Sequence, residues 1–288
     1  MSSLQHRVGR IGVWSLELRF GDRGEAAAAA AELDELGFGA LWVPGGIGGD
    51  ITGDVAHLLA ATKRCTVATG VLNIWKHEPA EIAAWWKDLA EEQRDRVLLG
   101  LGVSHVHIVG QPFKPLASMR DYLDRLTGDG VSPDALCLAA LGPKMLELAR
   151  DRTAGAHPYL VTPEHTAQAR SIVGPDRLVA PEQGVALHPD RGQARALARA
   201  ALASYASYPN YRNNWQRLGF DDAEIDGLSD RLVDELFACG PIEVIEARVQ
   251  EHFAAGADHV CLQVITGQGV NVVAARPAWR ELAAALIP

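Results

Sequence analysis

The 288-residue sequence has few cysteines and no excess of positive charge. Its four cysteines lie far apart and form no C-x-x-C pair, which argues against disulfides and structural metal sites and predicts reduced thiols in the core. The formal net charge is -9 and no basic run occurs, which argues against a nucleic-acid partner. No stretch approaches the roughly 18 apolar residues of a membrane span, and Met1 to Arg10 lead into no apolar run of signal-peptide length. We therefore expect a cytoplasmic protein without a membrane segment.

Several catalytic motifs are also missing. The sequence contains no G-x-S-x-G, no P-loop and no H-E-x-x-H. The glycine-rich run Pro44 to Asp50 fails as a dinucleotide loop, because Ile51 stands where the last glycine belongs. His105 and His107 lack a third ligand at any useful spacing, so no metal site is expected.

Strand-like and helical patterns alternate along the chain. Eight apolar runs predict strands over 10–14, 40–43, 66–72, 97–103, 135–141, 155–159, 178–187 and 259–265. Helical patterns lie between and after them, over 24–36, 54–62, 79–92, 118–126, 144–150, 163–172, 192–205, 242–255 and 277–286. Alternation of this kind gives parallel pairing, and eight units fit an α/β (β/α)8 TIM barrel of roughly 250 residues with insertions. We expect a single domain over 1–288, with its site in the loops that follow the strands.

The fourth predicted strand carries the first candidate site. It contains Gly100 and Gly102, which have no side chains, and Ser104 and His105 follow it. Strand interiors avoid glycine unless something approaches the backbone closely, so a flat ligand on the strand or a tight packing contact are both consistent with the pattern. His105 is a candidate acid, base or hydrogen-bond donor, with a structural role as the alternative.

Other candidates lie at the ends of neighbouring strands. Gly70 interrupts the third strand and permits a bulge beneath a planar ligand. A strand ends at Gly142 and a helix begins at Pro143, which predicts either an anion site at the helix start or an ordinary turn. Thr162 precedes a second such helix, where it either caps the helix or binds a phosphate oxygen. The aromatic segment 203–230 is predicted to cover the pocket, to form a dimer contact or to pack against the barrel.

In their order, several of these segments resemble the luciferase-like flavin and deazaflavin barrel superfamily, and within it the F420-dependent oxidoreductases. The resemblance runs from about Val8 to Leu286. It is carried by the segments 35–43, 69–73, 96–104, 139–143, 209–211 and 217–220.

The resemblance implies a cofactor site in the barrel mouth. A deazaflavin or flavin ring would lie over a bulge at Gly70 and Val71, where relatives often have a non-proline cis peptide. The ribityl chain would pass Gly102 and His105, and the phosphate would rest near the helix starts. The implied cofactor-binding residues are Gly70, Val71, Asn73, Gly102, His105, Gly142, Pro143, Lys144, Met145, Tyr159, Leu160 and Thr162.

The sequence departs from the family pattern at two places. Gly45 and Gly46 stand where relatives carry an acidic residue and a histidine, and His105 stands where sugar-phosphate enzymes place a glutamate proton donor. The resemblance implies an oxidoreductase that transfers a hydride between coenzyme F420 and a small organic substrate, with a homodimer as the expected assembly. Because of the second departure, His105 is the catalytic candidate. The alternatives are an FMN-dependent monooxygenase and a protein that binds the cofactor without turnover.

Overall fold

The structure is a computed structural model that describes residues 7–46, 48–105 and 109–288. Its strands are β1 (Ile11–Trp14), β2 (Ala40–Gly45), β3 (Thr66–Asn73), β4 (Val97–Gly102), β5 (Leu136–Leu138), β6 (Gly155–Ala156), β7 (Leu178–Val179), β8 (Glu182–Leu187), β9 (Phe237–Gly240) and β10 (Val260–Val264). They form one parallel sheet in the order β7-β6-β5-β4-β3-β2-β1-β10-β8-β9. The eight predicted strands are all present, one of them as the pair β7 and β8.

Two strands that are adjacent in sequence, β7 and β8, lie far apart in the strand order of the sheet. Only Ala180 and Pro181 separate β7 from β8. β7 pairs with β6, whereas β8 pairs with β10, and β10 pairs with β1. The predicted α/β fold class with parallel strands is confirmed.

Helices follow the strands. They are α1 (Glu17–Phe20), α2 (Arg23–Glu35), α3 (Ile51–Ala61), α4 (Pro79–Asp88), α5 (Glu91–Arg94), α6 (Pro115–Gly128), α7 (Pro143–Arg152), α8 (Pro163–Val173), α9 (Arg191–Leu202), α10 (Pro209–Arg217), α11 (Asp222–Asp226), α12 (Asp230–Leu236), α13 (Ile242–Ala254) and α14 (Val272–Leu286). The predicted helix 79–92 is divided, because Leu89 and Ala90 have extended backbones. The last helix begins at Val272 and not at Pro277, because the Asn271 side chain accepts a hydrogen bond from Ala274 N and caps it earlier.

Part of the chain after α9 was not predicted as regular structure. The segment holds α10, α11 and α12, and it leads into β9, which pairs with β8. Within it Trp215 is fully buried, and its indole nitrogen donates to the carbonyl of Leu160 at 3.2 Å. The segment is therefore packed against the carboxyl ends of the strands.

The apolar residues inside the ring of strands include Trp14, Trp42 and Leu98. All four cysteines are buried and free, as predicted, and Cys137 and Cys261 belong to this inner cluster. Within the described ranges, no helix has both the length and the apolar content needed to cross a bilayer.

Candidate active site

A cavity of about 530 Å³ lies at the carboxyl ends of β2 to β6. Its walls come from the loops that follow these strands and from residues 204–217, which were predicted only as a cover, a dimer contact or an outer packing layer. Parallel strands present their carboxyl ends on one face, which is where ligands bind in barrels of this kind. The cavity therefore occupies the predicted face.

One wall of the cavity is built on a bulge in β3. The register of β3 shifts against β4 between Ala68 and Leu72, and the Gly70–Val71 peptide bond is cis, as the family resemblance implied. The indole nitrogen of Trp14 donates to the Gly70 carbonyl at 2.8 Å. Gly70 is thus held beneath the cavity, while the side chain of Val71 lines it.

The glycines of β4 accommodate this bulge. A Cβ atom at Gly100 would lie 2.1 Å from the carbonyl oxygen of Thr69, and one at Gly102 would lie 2.5 Å from a methyl group of Val71. Real Cβ atoms essentially never approach other atoms to under 3.0 Å. Gly100 is therefore required by the neighbouring strand, whereas Gly102 both lines the cavity and gives Val71 room.

The far end of the cavity is suited to an anion. Gly142 precedes α7, whose unpaired backbone N–H groups give the helix start a partial positive charge. Arg217 lines the same end, where one guanidinium nitrogen lies 3.0 Å from the amide oxygen of Asn214. Partial burial lowers the pKa of Arg217, and within the described residues no carboxylate forms an ion pair with it. An arginine without an acidic partner beside a helix start is an arrangement that binds phosphate.

Aromatic side chains form another wall. Tyr205, Tyr208 and Tyr211 line the cavity together with Tyr159. The ring of His105 lies 4.5 Å from that of Tyr208, centroid to centroid, and 5.8 Å from that of Tyr211. Burial raises the pKa of Tyr159 and Tyr211, so both hydroxyls stay neutral and can donate hydrogen bonds. His105 is thus placed in an aromatic wall of the cavity, and His107 lies outside the described residues.

Two polar side chains, those of His157 and Glu182, are buried in the barrel. His157 stacks on Trp42 with 4.1 Å between ring centroids and donates from Nδ1 to the carbonyl of Ala180 at 2.7 Å, and burial lowers its pKa to about 4. Its Nε2 atom has no hydrogen-bond partner among the described residues. Burial also raises the pKa of Glu182 to about 8; its Oε2 atom accepts a hydrogen bond from Leu160 N at 3.1 Å, and its Oε1 atom has no hydrogen-bond partner among the described residues. Both groups are therefore uncharged at neutral pH.

Seven of the twelve predicted cofactor residues line the cavity: Val71, Asn73, Gly102, His105, Gly142, Met145 and Tyr159. The other five do not. Gly70 lies beneath it, Pro143 and Lys144 are exposed on α7, Leu160 lines a different cavity, and Thr162 caps α8 through His165 N.

Sequence reasoning missed Arg217 as a residue of the cavity, and it missed the buried groups His157 and Glu182. Arg217 reaches the cavity from a segment far along the chain, so no local spacing reveals it. Glu182 did give a signal, because a carboxylate inside an apolar strand run is costly unless it has a special role. Three lysines of the strand-end loops and of α7, namely Lys76, Lys114 and Lys144, are exposed and do not line the cavity.

The glycine-rich loop after β2 is fastened to the barrel. The guanidinium of Arg19 donates to the carbonyls of Pro44 and Gly48 and pairs with Asp54 at 3.0 Å. The Asn73 side chain donates to the carbonyl of Gly46 at 3.1 Å. Gly46 lines the cavity with no atom within 4 Å of a Cβ position, so this side of the cavity is open.

Comparison with known proteins supports the family resemblance. Residues 9–130 match the family model described as luciferase-like monooxygenase. No curated protein matches the chain.

Solved structures share the fold over nearly the whole chain. An F420-dependent secondary alcohol dehydrogenase in complex with an F420-acetone adduct is 16% identical, with a TM-score of 0.73 over 97% of this chain and 99% of that one. The coenzyme F420 dependent tetrahydromethanopterin reductase from Methanopyrus kandleri is 14% identical, with a TM-score of 0.77 and the same coverage. The oxygenating constituent of 3,6-diketocamphane monooxygenase from Pseudomonas putida, in complex with FMN, is 12% identical, with a TM-score of 0.65 over 98% of both chains.

Proposed function

We propose that this chain, whose residues 9–130 match the luciferase-like monooxygenase family model, is an F420-dependent oxidoreductase that transfers a hydride between the deazaflavin and a small organic substrate. The observation that carries the proposal is the combination of two features in one cavity. Val71 of the β3 bulge lines the cavity, and so do Arg217 and Gly142 at the start of α7. A planar ring with a phosphate-bearing chain needs both.

The residues of the cavity fit such a cofactor. Val71 and Gly102 would support the ring, because Gly102 has no side chain and Val71 presents a flat aliphatic surface. Gly142 and Arg217 would hold the phosphate by backbone N–H groups and by a charge-assisted hydrogen bond. A bound deazaflavin would supply or accept the hydride, a chemistry that amino-acid side chains lack.

His105 is the proposed proton-transferring group. It lines the cavity, and an imidazole can hold or release a proton near neutral pH. Gly45 and Gly46 carry no side chain that can take this role. We expect loss of the imidazole in His105→Gln to remove one limb of the pH dependence of kcat and to leave cofactor affinity within about threefold of wild type.

Exposed lysines next to residues that line the cavity favour F420 over FMN. Lys144 is exposed on α7 beside Met145, and Lys114 is exposed beside Pro115, with both neighbours lining the cavity. F420 has a lactyl-glutamyl tail that carries several more negative charges than the single phosphate of FMN, and these lysines would attract it. FMN use remains the second candidate, because one structure with the same fold contains FMN.

A third candidate is a protein that binds the cofactor without turnover. The observation behind it is the pair Gly45 and Gly46 at the place of an acidic residue and a histidine. Tight cofactor binding together with no oxidation of reduced F420 by enones, ketones, imines or quinones would favour it. Assembly as a homodimer also stays a prediction, which light scattering of the purified protein tests.

The decisive experiment is a competitive titration. F420 fluorescence should change on addition of the protein and saturate at concentrations of about 10 µM or below, and FMN should displace it only weakly. Stronger binding of FMN would move the assignment to the monooxygenase branch.

A further inference from the structure

A second cavity of about 380 Å³ lies next to the proposed cofactor cavity. It is formed by the loops after β1 and β10, by α9 and by the start of β9. Most of its lining is apolar, and the side chains include Leu16, Leu160, Leu197, Ala201, Phe237 and Ile265. The volume and lining are those of a site for a compact, mainly apolar molecule.

The two cavities meet at a pair of tyrosines. Tyr159 and Tyr205 line both, and their hydroxyl oxygens lie 3.3 Å apart. Tyr159 also donates to the amide oxygen of Gln263 at 2.8 Å. A molecule in the second cavity would therefore lie directly beside one in the first.

Glu17 carries the only charge among the described residues that line the second cavity. Its side chain belongs to a residue that is 7% exposed, and its Oε2 atom accepts a hydrogen bond from the Ser15 hydroxyl at 2.7 Å. No lysine, arginine or histidine forms an ion pair with it within the described residues. Burial raises the pKa of Glu17, since removal from water disfavours the carboxylate.

A cation in the cavity would offset the free-energy cost of burying the Glu17 carboxylate. A buried carboxylate without a positive partner is unfavourable, and an ammonium group would supply both the charge and the hydrogen-bond donors. Charge-assisted hydrogen bonds are roughly twice as strong as neutral ones, so an alcohol of the same shape would bind less well. The net charge of -9 also attracts cations to the protein.

We propose that the second cavity is the substrate chamber, and that Glu17 selects a compact apolar molecule that carries a protonated amine. The nitrogen pairs with the Glu17 carboxylate, and the carbon skeleton lies along the apolar wall toward Tyr159 and Tyr205. The role of this amine as a substrate rests on the proposed function, whereas its binding in the chamber does not.

The test uses two probes of matched shape on the protein without added cofactor. Binding of cyclohexylammonium and of cyclohexanol is measured by calorimetry for the wild type and for three variants. Glu17→Gln removes the charge and keeps the shape, Ala201→Phe fills the chamber and keeps the charge, and Glu92→Gln removes an exposed charge before β4 as the control.

We expect the wild type and Glu92→Gln to bind the ammonium at least about tenfold more tightly than the alcohol. Glu17→Gln should lose this preference, and Ala201→Phe should bind neither probe. Equal binding of both probes to the wild type would overturn the proposal, as would an unchanged preference in Glu17→Gln. If Glu17→Gln does not fold, the wild-type preference and the Ala201→Phe result still decide it.

The same measurements separate the two proposals. Failure of F420 and FMN to bind, together with a Glu17-dependent preference for the ammonium, would contradict the proposed function and leave the chamber standing. Tight F420 binding without any preference for the ammonium would support the proposed function and contradict the amine-binding chamber.

Discussion

Replacing Gly100 by alanine tests whether the β3 bulge dictates the glycine in β4. The new Cβ atom would lie 2.1 Å from the carbonyl oxygen of Thr69. The hydroxyl of Thr69 also donates to the carbonyl of Gly100 at 2.8 Å, so the two strands are tied together at this point. Neither backbone can move by the required distance of about 1 Å without disturbing the bulge and the cavity wall.

The loss of stability depends on which atoms collide with the new Cβ atom. Overpacking a rigid interior costs about 1 to 3 kcal/mol when side chains can adjust. Here the obstacle is a backbone oxygen in the middle of the sheet, so we expect the upper end, a loss of about 3 kcal/mol in the free energy of unfolding. For a chain of this length that loss corresponds to a fall in Tm of roughly 5 to 10 °C.

Urea unfolding followed by circular dichroism measures the change, with Gly128→Ala as the matched control. Gly128 is the last residue of α6 and has nothing within 4 Å of its Cβ position. Its replacement should leave stability unchanged or raise it by up to about 1 kcal/mol. The reasoning fails if Gly100→Ala unfolds within about 0.5 kcal/mol of the wild type.

Three further predictions follow from buried or unpaired charges. Arg217→Gln should weaken F420 binding about tenfold in a fluorescence titration, since one charge-assisted hydrogen bond to the phosphate is lost, and unchanged affinity would remove Arg217 from the site. Burial raises the pKa of Glu182 to about 8, so the stability that the protonated side chain contributes is full below pH 4.5 and is lost as the pH rises toward 8, by at most about 1.4 kcal/mol per pH unit. Glu182→Gln should flatten this pH dependence of the unfolding free energy in urea titrations. An equal slope in both proteins would contradict the prediction. Arg19→Met should lower the free energy of unfolding by about 3 kcal/mol, because Asp54 loses its buried partner. Arg23→Met, which removes an exposed partner of the same carboxylate, should lower it by less than about 1 kcal/mol. Similar losses in both variants would argue against the role of burial.

The parallel direction of eight strand segments and the face that holds the cavity could be predicted from sequence, because both follow from local patterns, whereas β9 was not predicted. Buried strands of a parallel sheet are continuous apolar runs, and the helices between them fix the direction of each strand. The glycine in Thr69 to Asn73 correctly indicated a bulge. The same logic placed Gly142 and Met145 at one cavity.

Residues that reach the site across the fold could not be predicted in this way. Arg217 and Tyr205 line the cavity only because the chain after α9 folds back over the strand ends. Glu17 lines the second cavity together with apolar residues of α9 and of the loop after β10, which are remote from it in sequence. For Gly100 the sequence left a ligand contact and a packing contact both open, and the structure shows close packing against the carbonyl oxygen of Thr69 in the neighbouring strand.

The central claim is that the cavity between the β3 bulge and the start of α7 binds a deazaflavin. Titration of F420 with the purified protein, followed by cofactor fluorescence with FMN as competitor, tests it most directly. The account predicts saturable binding at about 10 µM or below that weakens in Arg217→Gln and resists displacement by FMN. No change in fluorescence at protein concentrations of about 100 µM would contradict it.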